Sequence, residues 1–201
     1  LYVLLCLCYT GFSQNEVIDK MTWDIVAEFT GELDYSKFGF AGSFAGVHND
    51  VLIIAGGANF PEGLPWEGGK KYWSDKIFVL EKSEGNYVWN DKTFKLPHAL
   101  AYGFSISLPE GVLCIGGRDA NQEYAEVFLL TWKQDTEEVT TEKFPSLPFS
   151  LAHISATKLE NKIYVAGGES NGKSTKHFLS LDLISVWPYC FFVFLVVFLY
   201  L

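Results

Sequence analysis

The sequence predicts an all-β chain built from successive four-stranded blades of a β-propeller. Three observations predict this fold: a doubled glycine closes an apolar strand three times, the segments that flank the glycines align, and the copies recur at similar intervals. The second glycines of the pairs, Gly57, Gly117 and Gly168, are 60 and 51 residues apart. Repeats of this length made of short strands are typical of propeller blades, which bury both faces only by packing side by side around an axis.

Each repeat is interpreted as a series of strands in a fixed order. The first strand is rich in small residues, and these strands are predicted at 42–48, 102–108 and 152–158. The second is the apolar strand that ends in the two glycines, at 51–57, 112–117 and 163–168. The third follows a variable loop, at 76–80, 126–130 and 176–181.

A fourth, outer strand is predicted in two repeats only, from Tyr87 to Phe94 and from Glu138 to Phe144. A proline follows each of them closely, where its missing N–H is harmless. We therefore expect a lead-in over 15–37 and a Kelch-like arrangement of three blades at 38–97, 98–148 and 149–183, the last one incomplete. Because propellers typically have about four to eight blades, we expect this chain to be part of a larger architecture, or to self-associate to close the ring.

The glycine pairs have a mechanical explanation. A strand that stops near a crowded axis and turns outward benefits from residues that lack a Cβ and adopt positive φ freely. The alternative is three unrelated β-bulges, which the aligned flanking segments disfavour.

The two ends of the chain are apolar. Residues 1–14 have the pattern of a truncated signal peptide, with a buried strand as the alternative, and predict export to the periplasm or the extracellular space. The segment from Leu183 to Leu201 contains no charged residue. It is long enough to span a bilayer, so the tail over 184–201 is either a transmembrane anchor that contacts the membrane or an aberrant terminus.

Composition excludes several classes of function. Twenty-four acidic residues against 15 basic ones give a net charge of -9, so no nucleic-acid partner is expected. Cys114 is the only cysteine within the repeats, which predicts a buried apolar residue and no disulfide framework. No metal and no cofactor are expected, since the four histidines (His48, His98, His153 and His177) do not cluster by blade position.

Four stretches carry a family resemblance: 39–61, which contains Gly-Phe-Ala-Gly-Ser-Phe-Ala-Gly-Val-His-Asn-Asp, then 69–77, 101–103 and 113–117. With the glycine pairs typical of Kelch blades, they resemble the N-acetylneuraminate epimerase (sialic acid mutarotase) family. The order of the blades is similar to the cyclically permuted branch of that family. A circular permutation is physically easy in a propeller, because only one loop of the ring need be cut.

The resemblance implies a six-bladed propeller whose central pocket interconverts the α and β anomers of sialic acid by general acid-base catalysis. The implied partner is a small anionic sugar, for whose carboxylate an arginine fork is a natural ligand. The glutamate and arginine regarded as catalytic in the family belong to a later repeat that this sequence does not contain. We therefore assign no catalytic residue from the sequence.

Six residues are candidates for lining the pocket, because the loops after second strands and the segments leading into first strands should meet at one end of the blades. They are Asn59, Phe60, Tyr102, Arg118, His153 and Glu169. Arg118 is the candidate carboxylate ligand, and its alternative is a surface ion pair with Asp119 or Glu123.

The other candidates have alternatives too. Asn59 binds hydroxyls or forms a turn, and Phe60 and Tyr102 stack on a sugar or pack in the core. Glu169 is an acid or base or a solvated loop residue, and His153 is a ligand or an interior histidine.

The first loop, from Ala58 to Asp75, is unusually long and is predicted to form a rim or lid over the pocket, with Lys70 and Lys71 attracting an anion. Its alternative is an outer decoration that shields a neighbouring blade. The competing function for the whole chain is a non-enzymatic Kelch-repeat module that binds a protein partner through its loops, since the fold alone does not decide function.

Overall fold

The computed structural model describes residues 21–28 and 39–183. The predicted signal peptide over 1–14 and the apolar tail over 184–201 lie outside the described residues, as does part of the lead-in. Residues 21–28 contain no helix or strand, but the backbone oxygen of Glu28 accepts a 2.7 Å hydrogen bond from the Trp89 indole. None of the helices in the described residues is long and apolar enough to cross a membrane.

The first blade is an antiparallel sheet in the order β1 (Phe44–His48), β2 (Val51–Ala55), β5 (Lys76–Ser83) and β6 (Asn86–Trp89), with the short β7 (Phe94–Lys95) also paired to β5. The loop between β2 and β5 contains a small hairpin of β3 (Ala58–Asn59) and β4 (Tyr72–Trp73), and a 3-10 turn at Pro65–Glu67.

The second blade is a four-stranded antiparallel sheet of β8 (Phe104–Leu108), β9 (Gly111–Ile115), β10 (Val127–Lys133) and β11 (Glu138–Phe144). The third comprises β12 (Ser155–Leu159), β13 (Lys162–Ala166) and β16 (Phe178–Asp182), with a hairpin of β14 (Glu169–Ser170) and β15 (Lys173–Ser174) between its second and third strands. The predicted all-β, propeller-type fold with its repeating strand order is confirmed.

The middle blade is buried on both faces, so its second and third strands alternate between two cores. One core lies between the first two blades and takes these residues from β9 and β10: Val112, Cys114, Phe128, Leu130 and Trp132. The other lies against the third blade and takes Leu113, Ile115, Val127 and Leu129. This double burial explains the continuous apolar runs of these strands, which a half-exposed sheet would interrupt with polar residues.

The first strands of neighbouring blades lie side by side at the inner edge of the structure. The backbone N–H groups of Ala45 and Val47 donate to the hydroxyls of Ser105 and Ser107, both at 2.8 Å. Each pair is separated by the 60 residues of one repeat, so the first strands of these two blades meet in the register of the repeat.

The glycine pairs are required by contact between blades as well as by the turn. At Gly116 (φ +60°), a Cβ would lie 2.4 Å from the backbone oxygen of Leu151, which belongs to the next blade. The adjacent Gly117 N–H donates to that same oxygen at 2.8 Å. Gly56 and Gly57 make the equivalent contacts with Leu100, so the repeat motif is a site of blade-to-blade packing rather than a set of unrelated bulges.

The predicted outer strand from Tyr87 to Phe94 is wrong in its middle, because β6 ends at Trp89 and β7 begins at Phe94. Asn90 causes the break. Its side-chain amide donates to Glu81 at 2.6 Å while its side-chain oxygen accepts the Lys92 N–H at 2.9 Å. This local pairing competes with the strand ladder and turns the chain away from it.

Candidate functional site

Backbone pairing brings the three loops after the glycine pairs to one end of the blades. In each repeat, the residue after the second glycine forms an antiparallel bridge with the residue that leads into the first strand. The bridges are Ala41 with Ala58, Ala101 with Arg118, and Ala152 with Glu169. We call this end the loop end of the blades.

A second line of contacts crosses the loop end from blade to blade. The Tyr102 N–H donates to the backbone oxygen of Gly42, and the His153 N–H donates to that of Tyr102, both at 2.7 Å. The three residues hold the same place in successive repeats, and all have positive φ, at 68°, 60° and 52°. Positive φ is uncommon for tyrosine and histidine and is typical of sites where the surrounding structure imposes a conformation.

This strained backbone places two rings together. The Tyr102 and His153 rings lie 4.8 Å apart between centroids at an angle of 32°. Tyr102 is half-buried and His153 is exposed, so the histidine is not the interior residue that was the alternative. The two rings form a tilted aromatic pair at the loop end, with the histidine exposed.

Asn59, Phe60 and Tyr102 line one cavity of about 520 Å³, together with the following residues of the first blade and its loop: Gly39, Ala41, Ala58, Gly63, Leu64 and Glu67. Asn59 is buried, and its side-chain amide donates to the backbone oxygen of Gly39 at 2.9 Å. Its side chain therefore anchors the wall of the cavity, a role close to the turn-forming alternative.

Arg118 and Glu169 form an ion pair across two blades. The guanidinium Nη1 lies 3.2 Å from Glu169 Oε1, and the two side chains are 30% and 31% exposed. At this exposure the pair stabilises the fold by only about 0–1 kcal/mol, and both groups stay accessible to a ligand. The alternative for Arg118 was an ion pair with Asp119 or Glu123, but the pairing partner is another candidate site residue.

Asp119 holds the loop instead. Its carboxylate accepts the N–H groups of Asn121 and Gln122 and the Tyr124 hydroxyl, at 2.7, 2.8 and 2.8 Å. Partial burial raises the pKa of Asp119, but these three donors stabilise the charged form. The pKa of Asp119 therefore lies below its ordinary value. The loop that carries Arg118 is thus fixed by an ionised carboxylate.

Glu123 is a functional candidate that the sequence reasoning treated only as a partner for Arg118. Its carboxylate accepts the backbone N–H groups of Asn171 and Gly172 from the third blade, at 2.6 and 3.1 Å. Partial burial opposes ionisation, but these donors and the Arg118 charge hold the pKa of Glu123 below its ordinary value. Two glutamates therefore flank one arginine at the loop end.

Trp73 was not a candidate from the sequence, and Lys71 was expected only to attract an anion together with Lys70, without any ring contact. The Trp73 ring packs edge-on against Tyr102, with centroids 5.6 Å apart. The Lys71 ammonium lies over both rings, 4.7 Å from Trp73 and 4.4 Å from Tyr102. In the parts of the chain that the structure describes, no group of three or more His, Cys, Asp or Glu side chains could hold a metal ion.

Comparisons with known proteins agree with the sequence resemblance. The family model of N-acetylneuraminate epimerase matches residues 11–141, which is more than half of the chain. An N-acetylneuraminate epimerase from Vibrio cholerae is 37% identical over 116 residues, covering 50% of this chain and 28% of the relative. That from Brucella suis is 34% identical over 104 residues, covering 47% and 26%.

A solved structure of YjhT is 35% identical in sequence, with a TM-score of 0.43 over 52% of this chain and 31% of that one. The chain thus spans less than a third of the length of the relatives it matches. The match of the family model over more than half of its residues nevertheless shows that this chain belongs to the N-acetylneuraminate epimerase family.

Proposed function

We propose that the loop end is part of a binding site for N-acetylneuraminate and takes part in interconverting the α and β anomers of this sugar. The observation that carries the proposal is the cross-blade pair of Arg118 and Glu169, placed at the same end of the blades as the Tyr102 and His153 rings. Membership of the N-acetylneuraminate epimerase family supports the choice of this sugar. The cluster has a carboxylate and a guanidinium for proton transfer and charge, and aromatic rings for stacking.

Anomer exchange requires proton transfer at two oxygens. A base takes the proton of the anomeric hydroxyl while an acid protonates the ring oxygen, so the bond from the anomeric carbon to the ring oxygen breaks and leaves the open-chain ketone. Closure on the other face reverses these transfers, with no net change in protons. Positioned side chains typically accelerate such transfers by about 10² to 10⁴-fold.

We assign Glu169 the role of the base, which takes the proton of the anomeric hydroxyl, while a solvent water molecule protonates the ring oxygen. Arg118 Nη1 donates to one of the Glu169 oxygens at 3.2 Å, which orients the carboxyl group, and the 31% exposure of the Glu169 side chain lets a ligand reach it. The exposed His153 ring, which packs against Tyr102, offers an aromatic face on which a sugar ring stacks.

A second candidate function is a binding module without chemistry, and one observation favours it. The loop between β2 and β5 exposes large apolar side chains, with Trp66 79% and Leu64 45% exposed. Exposed apolar residues that lie close together are typical of protein contact sites.

Proton NMR exchange spectroscopy on the 201-residue chain distinguishes the two functions. We expect added protein to accelerate exchange between the α and β anomers of N-acetylneuraminate, and Glu169→Gln to reduce that acceleration about 10²-fold or more, because the amide cannot transfer the proton. Glu142→Gln, the same change on the exposed outer strand β11, is the matched control and should leave the rate unchanged.

Exchange at the rate of buffer alone would reject the catalytic proposal. If the sugar still binds, a sugar-binding module without chemistry becomes the better account, and a chain that does not bind the sugar favours the module that contacts a protein. A Glu169→Gln variant as active as the unchanged chain would remove Glu169 from the mechanism.

A further inference from the structure

Acidic and basic side chains are unevenly distributed at the loop end. Arg118, the residue that sequence reasoning selected as the carboxylate ligand, already has Glu169 as its ion-pair partner and Glu123 nearby. An anionic sugar that bound there would have to approach two glutamates. The local charge at Arg118 is therefore unfavourable for a second carboxylate.

Lys71 has the opposite surroundings. It makes no ion pair or hydrogen bond with any other described residue, so no described carboxylate neutralises its charge. Its ammonium nitrogen lies 4.4 Å from the Tyr102 ring centroid, 4.7 Å from that of Trp73 and 6.0 Å from that of Phe60.

The three rings hold the ammonium group without occupying its N–H donors. Aromatic faces attract a cation through their quadrupoles, an interaction of about 0.5–1 kcal/mol at exposed sites, and they accept no strong hydrogen bond. Lys71 is an exposed residue, and an ammonium group has three N–H donors. The cation is thus positioned while its donors stay available to an anion.

The Lys71 ammonium also lies next to a cavity that is large enough for a sugar. Phe60 and Tyr102, which contact Lys71, line the 520 Å³ cavity beside β3 and β4. Glu67 lines it too, but its Oε2 accepts the Leu64 N–H at 3.0 Å. Tyr102 lines this cavity, and its ring contacts both the Lys71 ammonium and the exposed His153 ring.

We propose that Lys71, and not Arg118, binds the carboxylate of the anionic sugar, with Trp73 and Tyr102 holding the ammonium in place. This assignment rests on the proposed function. Arg118 then acts as a positioning residue that orients Glu169, and the loop between β2 and β5 determines specificity for an acidic sugar.

Binding of two ligands that differ only in charge tests the assignment. The quenching of tryptophan fluorescence, or the shift of protein NMR signals, gives the Kd of the 201-residue chain for N-acetylneuraminate and for its uncharged methyl ester. Lys71→Gln should raise the Kd for the acid about 10-fold, the loss typical of one hydrogen bond to a charged group. It should leave the Kd for the ester unchanged, and Lys71→Arg should restore binding of the acid.

Lys158→Gln is the matched control, because Lys158 is an exposed lysine of β12, outside the loop between β2 and β5, and makes no ion pair or ring contact with another described residue. It should leave both Kd values unchanged. Unchanged binding of the acid by Lys71→Gln, or an equal loss for acid and ester, would overturn the assignment while the proposed function stands. A chain that binds neither ligand would reject the proposed function and this assignment with it.

Discussion

Replacing one glycine in each of two repeats measures how much the blades depend on one another. Gly116 and Gly167 hold the same place in the second and third blades and have nearly equal φ, +60° and +64°. A Cβ at Gly116 would lie 2.4 Å from the backbone oxygen of Leu151, whereas at Gly167 the nearest atom, the oxygen of Thr175, is 3.9 Å away. Alanine at the two positions therefore shares the backbone strain and differs in the contact with a neighbouring blade.

The difference can be estimated. Left-handed backbone costs alanine about 1–2 kcal/mol at both positions. At Gly116 the new methyl also displaces the oxygen that accepts the Gly117 N–H at 2.8 Å, and a buried donor left without its partner costs about 1–3 kcal/mol. Gly116→Ala should lower the free energy of unfolding by about 2–5 kcal/mol, and Gly167→Ala by about 1–2 kcal/mol.

Urea unfolding followed by far-UV circular dichroism gives both values. For a slope of about 2 kcal/mol per molar urea, the expected gap of about 2 kcal/mol moves the midpoint of Gly116→Ala about 1 M below that of Gly167→Ala. Equal midpoints would refute the reasoning, since they would mean that the glycine pairs serve the turn alone and not the contact between blades.

Two other predictions concern buried side chains. Burial and the charge of Lys133 lower the pKa of His48 in the folded chain from its ordinary 6.5. Below pH 6.5 the unfolded chain therefore binds more protons than the folded chain, so the free energy of unfolding should fall as the pH drops through 6.5 and below. Urea unfolding as a function of pH should show this fall, and His48→Gln should weaken it; an identical pH profile in the variant would contradict the assignment. Cys114 is fully buried, which raises the pKa of its thiol well above the ordinary value. Peptide mapping should therefore find Cys114 alkylated by iodoacetamide only after the chain is unfolded. Labelling of the native chain would contradict its place in the core.

Repeat spacing predicted more of the site than local sequence did. Arg118 and Glu169 are 51 residues apart, as are Tyr102 and His153, and this is the interval between Gly117 and Gly168. Residues at the same place in successive repeats become neighbours when blades pack in register, and both pairs are in contact. The partners considered for Arg118 from the sequence were near neighbours, because proximity along the chain was given more weight than position in the repeat.

Other features had no repeat to reveal them. Lys71 and Trp73 belong to a loop that is much longer in the first blade than in the other two, so no equivalent position indicated which rings the lysine would meet. The break in the outer strand depends on hydrogen bonds of the Asn90 side chain with the Lys92 N–H and with Glu81, which replace continued strand pairing. Alternation of residue types does not encode such a choice.

The most direct test of the account is to map the binding of N-acetylneuraminate onto the chain by amide NMR. If the loops of three blades form one site, the signals that shift on titration should be those of Tyr102, Arg118, His153 and Glu169, together with the loop around Lys71. Shifts confined to the outer strands, such as β11, or scattered over both ends of the blades would contradict the central claim that the repeats bring these residues together for a single ligand.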